Sequence, residues 1–213
     1  MIYTSKQKRE SVKNIYNIIA EDYSKLFTNI KEYEKYIDNF MLNINKGAKI
    51  LDAGCGSGEA MKYMANKGME VTGVDFSSEM LNIAKQRHNI NNVTCEDICK
   101  FKTNEKFDGI FCRYMLFHLP TQNLKKVIKN FYNMLNDGGK LCIISDLTDL
   151  KGEQMLDEEL SPGNKIYYNF IDLDELKEIL LKEKFNIDNI EIVGKEGAVS
   201  NYTTGRVVLM LSK

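Results

Sequence analysis

The stretch that most constrains this chain is Ile50-Leu51-Asp52-Ala53-Gly54-Cys55-Gly56-Ser57-Gly58. An apolar lead-in over 49–51 predicts a buried strand, and the pattern of 59–67 then favours a helix. The glycines at alternate positions between them indicate a sharp turn that lacks the Cβ atoms which would keep a ligand away from the backbone. Because open α/β sheets bind ligands at the carboxyl ends of their strands, we expect a nucleotide-like ligand at this turn.

Strand-like and helix-like stretches alternate beyond the turn, which is typical of parallel β-α-β units. The predicted parallel strands cover 49–51, 69–74, 93–96, 107–112 and 140–145. Two further runs, 186–193 and 206–211, have no crossover helix between them, so we expect them to pair antiparallel. The sequence therefore predicts an α/β fold with a doubly wound, mostly parallel seven-stranded sheet and helices on both faces.

Two predicted helices precede this sheet. Apolar residues recur at spacings of three and four over 11–27, and a second helical stretch over 30–42 ends before Gly47. We interpret residues 1–45 as an N-terminal helical lid packed on a core of residues 46–213. The charged segment between Asp149 and Lys165 predicts an irregular flap at about 147–170.

The charge balance narrows the range of partners. Lys and Arg number 29 against 30 Asp and Glu, so no overall positive field favours nucleic acid or an anionic membrane. No run approaches the roughly 18 apolar residues of a membrane span, and we expect a cytoplasmic monomer or homodimer that acts on a small molecule. The five cysteines lack a Cys-x-x-Cys pair, which indicates reduced thiols and no metal site.

Carboxylates follow the first three predicted strands at Asp52, Asp75 and Asp97. In a doubly wound sheet these strand ends face one crevice, where Asp75 is placed to accept hydrogen bonds from both hydroxyls of a ribose. Asp52 and Asp97 could each be a helix or turn cap when considered alone. Their joint placement favours a ligand that contains adenosine.

The glycine turn lacks the features that bind phosphates. It has neither the Gly-x-Gly-x-x-Gly spacing of dinucleotide sites, which disfavours a dehydrogenase, nor the Gly-Lys-Ser/Thr of a Walker loop, and it contains no Lys or Arg. An acidic loop suits a ligand that carries an ammonium and a sulfonium. These properties favour S-adenosylmethionine.

Several motifs occur together and in order. They are Tyr16-x-x-x-Ala20-x-x-Tyr23, the stretch from Leu51 to Gly58, Val74-Asp75-Phe76-Ser77-x-x-Met80-Leu81, Glu96-Asp97-Ile98, Phe107-Asp108 with Cys112-Arg113-x-x-Leu116-x-His118-Leu119, and Leu135-x-x-Gly138-Gly139. In this arrangement the sequence resembles the class I S-adenosylmethionine-dependent methyltransferases of the small-molecule type. The resemblance implies a transferase of the EC 2.1.1 class that releases S-adenosylhomocysteine, and a sheet in the order 3-2-1-4-5-7-6 with the last strand antiparallel.

The resemblance also implies a cofactor site. The glycine turn would lie against the methionyl group, Asp52 would orient its ammonium directly or through water, and Asp75 would hold the ribose. Around the adenine, Phe76 and Met80 would flank the ring while Asp97 accepts from its amine. The implied cofactor residues are Tyr23, Asp52, Ala53, Gly54, Gly56, Gly58, Asp75, Phe76, Met80, Asp97, Ile98, Cys112 and Arg113.

The acceptor side of the site is less defined by sequence. His118 follows the fourth strand and could be a general base, or it could hold its loop by a hydrogen bond. Arg113 could bind a substrate carboxylate or pair with a local Asp. The candidate substrate residues are Tyr16, Tyr114, Asp146 and Tyr167.

The expected function is methyl transfer by in-line displacement to oxygen, nitrogen or carbon of a small metabolite. An S-adenosylmethionine-binding sensor or partner protein without transferase activity is the alternative, as is a methyltransferase that acts on RNA or protein. The chain has Cys112-Arg113-Tyr114-Met115 where the exocyclic-amine methyltransferases of nucleic acids carry an Asn/Asp-Pro-Pro-aromatic motif, which disfavours that subset.

Overall fold

The computed structural model describes residues 3–27, 29–194 and 202–213. Within them the α-helices are Ser5–Leu26 (α1), Lys31–Met41 (α2), Glu59–Asn66 (α3), Ser78–His88 (α4), Thr121–Met134 (α5) and Leu173–Lys182 (α6), and a 3₁₀ turn spans Leu116–His118. The strands are Lys49–Ala53 (β1), Glu70–Asp75 (β2), Val93–Cys95 (β3), Phe107–Arg113 (β4), Leu135–Leu147 (β5), Gly152–Asp157 (β6), Lys165–Phe170 (β7), Asn186–Val193 (β8) and Gly205–Ser212 (β9).

The main sheet has seven strands in the order β3-β2-β1-β4-β5-β9-β8. Strands β1 to β5 pair in parallel, and β9 runs antiparallel to both β5 and β8. When β6 and β7, which form a separate hairpin, are left out of the numbering, this order is the predicted 3-2-1-4-5-7-6. The predicted fold class and the antiparallel last strand are confirmed.

The core lies on both faces of this sheet. Successive side chains of a strand point to opposite faces. On β4, Ile110 and Cys112 therefore pack with residues of α5 and α6, whereas Phe111 packs with residues of α2 and α3. A strand that is buried on both faces must be apolar at nearly every position, which explains why the central strands appear as continuous apolar runs in the sequence.

Helix α1 begins six residues earlier than its apolar pattern predicted, at Ser5 instead of Ser11. Its start is fixed by a capping box, in which the Gln7 amide donates to Thr4 Oγ1 at 3.3 Å and the Thr4 amide donates to Gln7 Oε1 at 2.8 Å. The additional turns carry Arg9 to the edge of the sheet. The division into a lid of residues 1–45 and a core of 46–213 stays a prediction.

The segment predicted as an irregular flap contains the hairpin β6–β7, so the prediction of irregular structure was wrong. On β7, Ile166 and Tyr167 are buried in one cluster with Val12, Ile15 and Ile19 of α1. This apolar contact joins residues that are far apart in sequence. The charged residues that suggested a loop lie mainly on the exposed side of the hairpin, as at Glu153 and Asp157.

Candidate cofactor and active site

A cavity of about 890 Å³, its open mouth included, lies at the carboxyl ends of β3, β2, β1 and β4. The lining consists of Arg9, Tyr16, Tyr23, Phe27, Gly54, Cys55, Gly56, Ser57, Glu59, Val74, Asp75, Phe76, Met80, Glu96, Asp97, Ile98, Arg113, Tyr114, Met115, His118 and Leu119. Nine of the thirteen predicted cofactor residues are in this lining, together with Tyr16, Tyr114 and His118.

The glycine turn after β1 forms part of the floor of this cavity. Gly56 has a φ of +51°, and an added Cβ would meet no protein atom within 4 Å, so its surface is open to a ligand. Gly58, with a φ of +87°, has a different role, because an added Cβ would lie 2.7 Å from the Ile90 side chain. The turn therefore combines a ligand-facing glycine with one that packing requires.

Asp75 at the end of β2 is held firmly beside this turn. Its Oδ2 accepts from the Gly56 amide at 3.0 Å, and its Oδ1 accepts from the Ser77 amide at 2.8 Å. Burial raises the pKa of Asp75, and the backbone donors oppose the rise. Each carboxylate oxygen retains a lone pair for a ligand hydroxyl, so the site fits a ribose.

Next to β3, Asp97 forms an ion pair with Arg9 of α1. Its Oδ1 also accepts from the Cys99 amide at 2.9 Å, which is the turn-cap geometry that the sequence left open. Ile98 lies beside it in the lining. We call these three residues, Arg9, Asp97 and Ile98, the β3 end of the cavity.

The opposite side of the cavity, which we call the β4 end, is formed by Arg113, Tyr114 and Met115. Tyr114 has a φ of +55°, which is an uncommon and strained conformation for a bulky residue, and its hydroxyl lies 3.1 Å from that of Tyr33. Asp52 lies in β1 behind the lining and is 2% exposed. Burial raises the pKa of Asp52 to about 7, while the charge of Arg113 opposes the rise.

The roof of the cavity contains a chain of hydrogen bonds. His118 Nδ1 lies 2.9 Å from the Tyr167 carbonyl oxygen, which can only accept, so Nδ1 carries the proton. His118 Nε2 then accepts from the Tyr16 hydroxyl at 3.0 Å. Burial lowers the pKa of His118 to about 4 and raises that of Tyr16, so both groups are neutral at pH 7. Tyr23 packs edge-on against Tyr16.

Six of the predicted residues lie outside this cavity lining. Ala53 and Cys112 are buried in the sheet, Gly58 packs against α4, and Asp52 lies behind the turn. The Tyr167 side chain packs against α1, and only the backbone carbonyl oxygen of this residue takes part in the roof. Asp146 lines a second, smaller cavity of about 370 Å³, its open mouth included, with Phe117, Tyr168, Phe170 and Thr203 among its other residues.

Comparison with known proteins places the chain in a family. Residues 25–192 match the family described as a methyltransferase domain. The chain belongs to this methyltransferase family. The match covers most of the sequence, from the end of α1 to β8, and with the order of the sheet it confirms the predicted resemblance.

Curated relatives carry the same domain. The ubiquinone biosynthesis O-methyltransferase of Coxiella burnetii is 34% identical over 144 residues, which are 62% of this chain and 60% of that protein. That of Glaesserella parasuis is 32% identical over 165 residues, which are 70% of this chain and 68% of that protein. The chain thus spans about 60% of the length of the Coxiella relative.

Solved methyltransferase structures share the fold. The 1,6-didemethyltoxoflavin-N1-methyltransferase of Burkholderia thailandensis superimposes with a TM-score of 0.77 at 16% identity, over 100% of this chain and 92% of that one. The magnesium protoporphyrin IX methyltransferase of Synechocystis gives 0.73 at 16% identity, over 100% of both chains. At such identities the likeness shows the fold alone.

The residues of this methyltransferase cavity lining that were not among the predicted site residues are Arg9, Phe27, Cys55, Ser57, Glu59, Val74, Glu96, Met115 and Leu119. A signal for Arg9 was present, because Arg9, Tyr16 and Tyr23 follow one another at intervals of seven residues and so share one face of α1. The expected start at Ser11 left Arg9 outside the predicted helix, whereas α1 begins at Ser5.

Proposed function

We propose that this methyltransferase domain transfers the methyl group of S-adenosylmethionine to oxygen, nitrogen or carbon of a small molecule by in-line displacement. The observation that carries the proposal is the Asp75 carboxylate, fixed by two backbone amides beside an open glycine turn. The Burkholderia and Synechocystis methyltransferases were solved with bound S-adenosylhomocysteine and S-adenosylmethionine, respectively, which supports the same cofactor here.

The order of the strands supports one orientation of the cofactor. Asp97, Asp75, the glycine turn and Arg113 follow β3, β2, β1 and β4, and neighbouring strands are about 4.8 Å apart. In this proposal the adenine lies at the β3 end near Ile98 and Met80, the ribose lies at Asp75, and the methionyl group lies at the β4 end. When bound, S-adenosylmethionine supplies an electrophilic methyl group on a positively charged sulfur.

Within this scheme the roof residues position groups for the reaction. Both ring nitrogens of the neutral His118 form hydrogen bonds. The Tyr16 hydroxyl keeps its proton and donates it in the hydrogen bond to Nε2. The Tyr16 oxygen therefore accepts hydrogen bonds from whatever occupies the cavity and donates none to it. We infer that His118 is a positioning residue for Tyr16, while its action as a direct general base stays a prediction.

The second cavity is the proposed region for the acceptor. Its wall contains the stacked rings of Phe117, Tyr168 and Phe170, with centroids 5.8 and 5.4 Å apart. The Tyr168 ring also lies 5.0 Å from that of His118, so the two cavities share this wall. Burial raises the pKa of Asp146 there to about 6, which leaves it an acceptor for N–H or O–H donors at pH 7.

The partners follow from the same proposal. A small-molecule acceptor suits a net charge of −1, and nucleic acid stays the disfavoured alternative. No helix in residues 3–27, 29–194 or 202–213 has the length and apolar character needed to cross a membrane. A cytoplasmic location, and a monomer or homodimer, stay predictions.

Calorimetry tests the cofactor assignment. S-adenosylhomocysteine should bind the wild-type protein, and Asp75→Ala should weaken binding by about 100-fold or more, because two hydrogen bonds to a charged group are lost. Asp75→Asn keeps one acceptor oxygen and should show a smaller loss. Asp174→Ala, on the exposed face of α6, is the control and should bind normally. Equal affinities of the Asp75→Ala and wild-type proteins would refute the ribose assignment.

Turnover separates an enzyme from a sensor. The wild-type protein with S-adenosylmethionine should release S-adenosylhomocysteine when it is incubated with a library of small metabolites. Binding of the cofactor without release for any metabolite, RNA or protein acceptor would favour the sensor or partner role.

A further inference from the structure

Three stacked rings form one side of the second cavity. The Phe117 and Tyr168 rings are inclined by 27° with centroids 5.8 Å apart, and the Tyr168 and Phe170 rings by 8° with centroids 5.4 Å apart. We call these three residues the aromatic wall. Tyr168 and Phe170 are two positions apart on β7, so they point to the same face of the hairpin. Rings in this arrangement offer an apolar surface on which another planar ring can stack.

The same cavity contains a carboxylate with an unused oxygen. The Thr203 side chain hydrogen-bonds to the Asp146 carboxylate. Asp146 Oδ1, however, is enclosed and has no hydrogen-bond partner in residues 3–27, 29–194 or 202–213. A buried carboxylate oxygen that lacks a donor is unfavourable. An N–H or O–H group of a ligand in the cavity would supply the missing donor.

The charges near Asp146 disfavour an anionic ligand. Among the described residues that line the second cavity there is no Lys, Arg or His. Arg206 lies opposite Asp146 in the register of β9 and β5, and its charge opposes the rise in the pKa of Asp146. Arg206 is outside this lining, however, and its Nη2 donates to Glu32 at 2.8 Å. A ligand carboxylate beside Asp146 would therefore meet a like charge.

The position of the second cavity relates it to the proposed site of methyl transfer. Asp146 lies near the end of β5, and β5 is the neighbour of β4. The Phe117 ring centroid is 6.2 Å from that of Tyr114, which belongs to the β4 end of the first cavity. Because the proposed methionyl group lies at that end, a molecule on the aromatic wall would be next to the reacting part of the cofactor.

We propose that the second cavity binds a methyl acceptor of one class, an aromatic molecule with an N–H or O–H donor. Its ring stacks on the aromatic wall, and its donor binds Asp146 Oδ1. A protonated amine and a neutral hydroxyl share this chemistry, whereas a carboxylate directed at Asp146 does not fit. This inference rests on the proposed function and narrows its acceptor.

Four probes separate the ring from the donor. Benzylamine has both in a cation, benzyl alcohol has both in a neutral molecule, cyclohexylmethylamine has the donor without an aromatic ring, and benzoate has the ring with an anion. NMR titration with saturating S-adenosylhomocysteine measures their affinities. Benzylamine, benzyl alcohol or both should bind about fivefold or more tightly than cyclohexylmethylamine and benzoate. The tighter of the first two shows whether the donor is cationic or neutral.

Two variants assign the contacts to residues. Asp146→Asn removes the negative charge at nearly constant size, so it should weaken benzylamine by about 10-fold and tighten benzoate. Phe170→Leu removes one ring of the aromatic wall, so it should weaken benzylamine and benzyl alcohol by about threefold or more and change cyclohexylmethylamine less than about twofold. Asp149→Asn, at an exposed position three residues from Asp146, is the matched control and should leave all four affinities unchanged.

Circular dichroism and thermal unfolding establish that each variant is folded, and Phe170→Leu together with the four wild-type affinities decides the question if Asp146→Asn does not fold. The inference is overturned if neither ring-bearing donor binds, if benzoate or cyclohexylmethylamine binds as tightly as both of them, or if the folded Asp146→Asn protein binds every probe like the wild type. Turnover of an aliphatic acceptor alone would also overturn it while the proposed function stands. A wild-type protein that does not bind S-adenosylhomocysteine would overturn both together, so the two failures are distinguishable.

Discussion

An arginine lies near an aspartate at each end of the cavity, but the two ends arrange these charges differently. At the β3 end, Arg9 and Asp97 form an ion pair with each other. Beyond the other end, Asp52 and Arg113 influence each other electrostatically without forming an ion pair within the described residues. The first end thus satisfies its own charges, whereas the second has charges that a ligand could pair.

The difference indicates where binding energy is available. A satisfied pair contributes to holding α1 on the sheet, but it gives a ligand little new interaction unless the pair rearranges. An unpaired guanidinium gives its full interaction to the ligand. Functional sites are the places where a folded chain leaves its own polar groups incomplete.

The largest expected effect comes from breaking the paired end. Asp97→Asn leaves Arg9 without its carboxylate, and we expect it to lower the free energy of unfolding by about 3 kcal/mol, as for other poorly exposed ion pairs that lose one partner. Urea denaturation measures this change. Glu10→Gln, which breaks the exposed pair with Lys6, is the control and should cost about 0.5 kcal/mol or less. If Asp97→Asn loses no more free energy of unfolding than the control, the Arg9–Asp97 pair stabilises the fold no more than an exposed pair does.

The second-largest expected effect concerns His118, which lies between the two ends of the cavity, and it is a change in the pH dependence of the free energy of unfolding. Its pKa of about 4 lies below the 6.5 of an unfolded histidine, so between these values the unfolded chain binds a proton that the folded chain does not. The contribution of His118 therefore lowers the free energy of unfolding by up to about 3 kcal/mol as the pH falls from 6.5 to 4. His118→Asn should flatten the acid side of the stability profile measured by urea denaturation.

A matched variant separates the titration of His118 from the loss of its hydrogen bonds. Tyr16→Phe keeps the imidazole and should keep the acid slope, although it removes the hydroxyl bonded to Nε2. Asp52 and Asp146, whose pKa values are raised, change stability with the opposite sign over part of this range in all three proteins. An unchanged slope in His118→Asn would mean that His118 titrates normally.

The smallest effect concerns Asp52 near the unpaired end. With a pKa of about 7 it is half protonated at pH 7, so a bound ammonium that favours its ionised form should release about half a proton. The affinity for S-adenosylhomocysteine should then rise by up to about tenfold from pH 6 to pH 8. Calorimetry in two buffers with different ionisation enthalpies measures the release.

The controls for Asp52 use two neutral replacements. Asp52→Asn should abolish the proton release, whereas Asp146→Asn, in the second cavity, should leave it unchanged. Release that persists in Asp52→Asn would assign the titration to another group and weaken the contrast between the two ends.

Much of the fold could be predicted because local signals agreed with one another. The glycine turn, the alternation of strands and helices, and the carboxylates at the strand ends all indicated a doubly wound sheet, and the structure has that sheet. The start of α1 and the hairpin β6–β7 were not predicted, because a polar capping box and a distant apolar contact determine them. The connection between the predicted runs 186–193 and 206–211 includes residues 195–201, which lie outside the described residues.

The sequence alone indicated the alternating strands and helices and the residues that meet at the carboxyl ends of the strands, since periodicity and glycine spacing are local properties of the chain. The family and the order of the strands came from the resemblance that the ordered motifs carry. Only the tertiary structure decided which charges are paired. Arg9 lies 88 positions before Asp97, and Arg206 reaches Glu32 from β9, while Arg113 forms no ion pair with any residue in 3–27, 29–194 or 202–213. Pairing depends on distances across the sheet and on burial, and neither can be read from spacing along the chain.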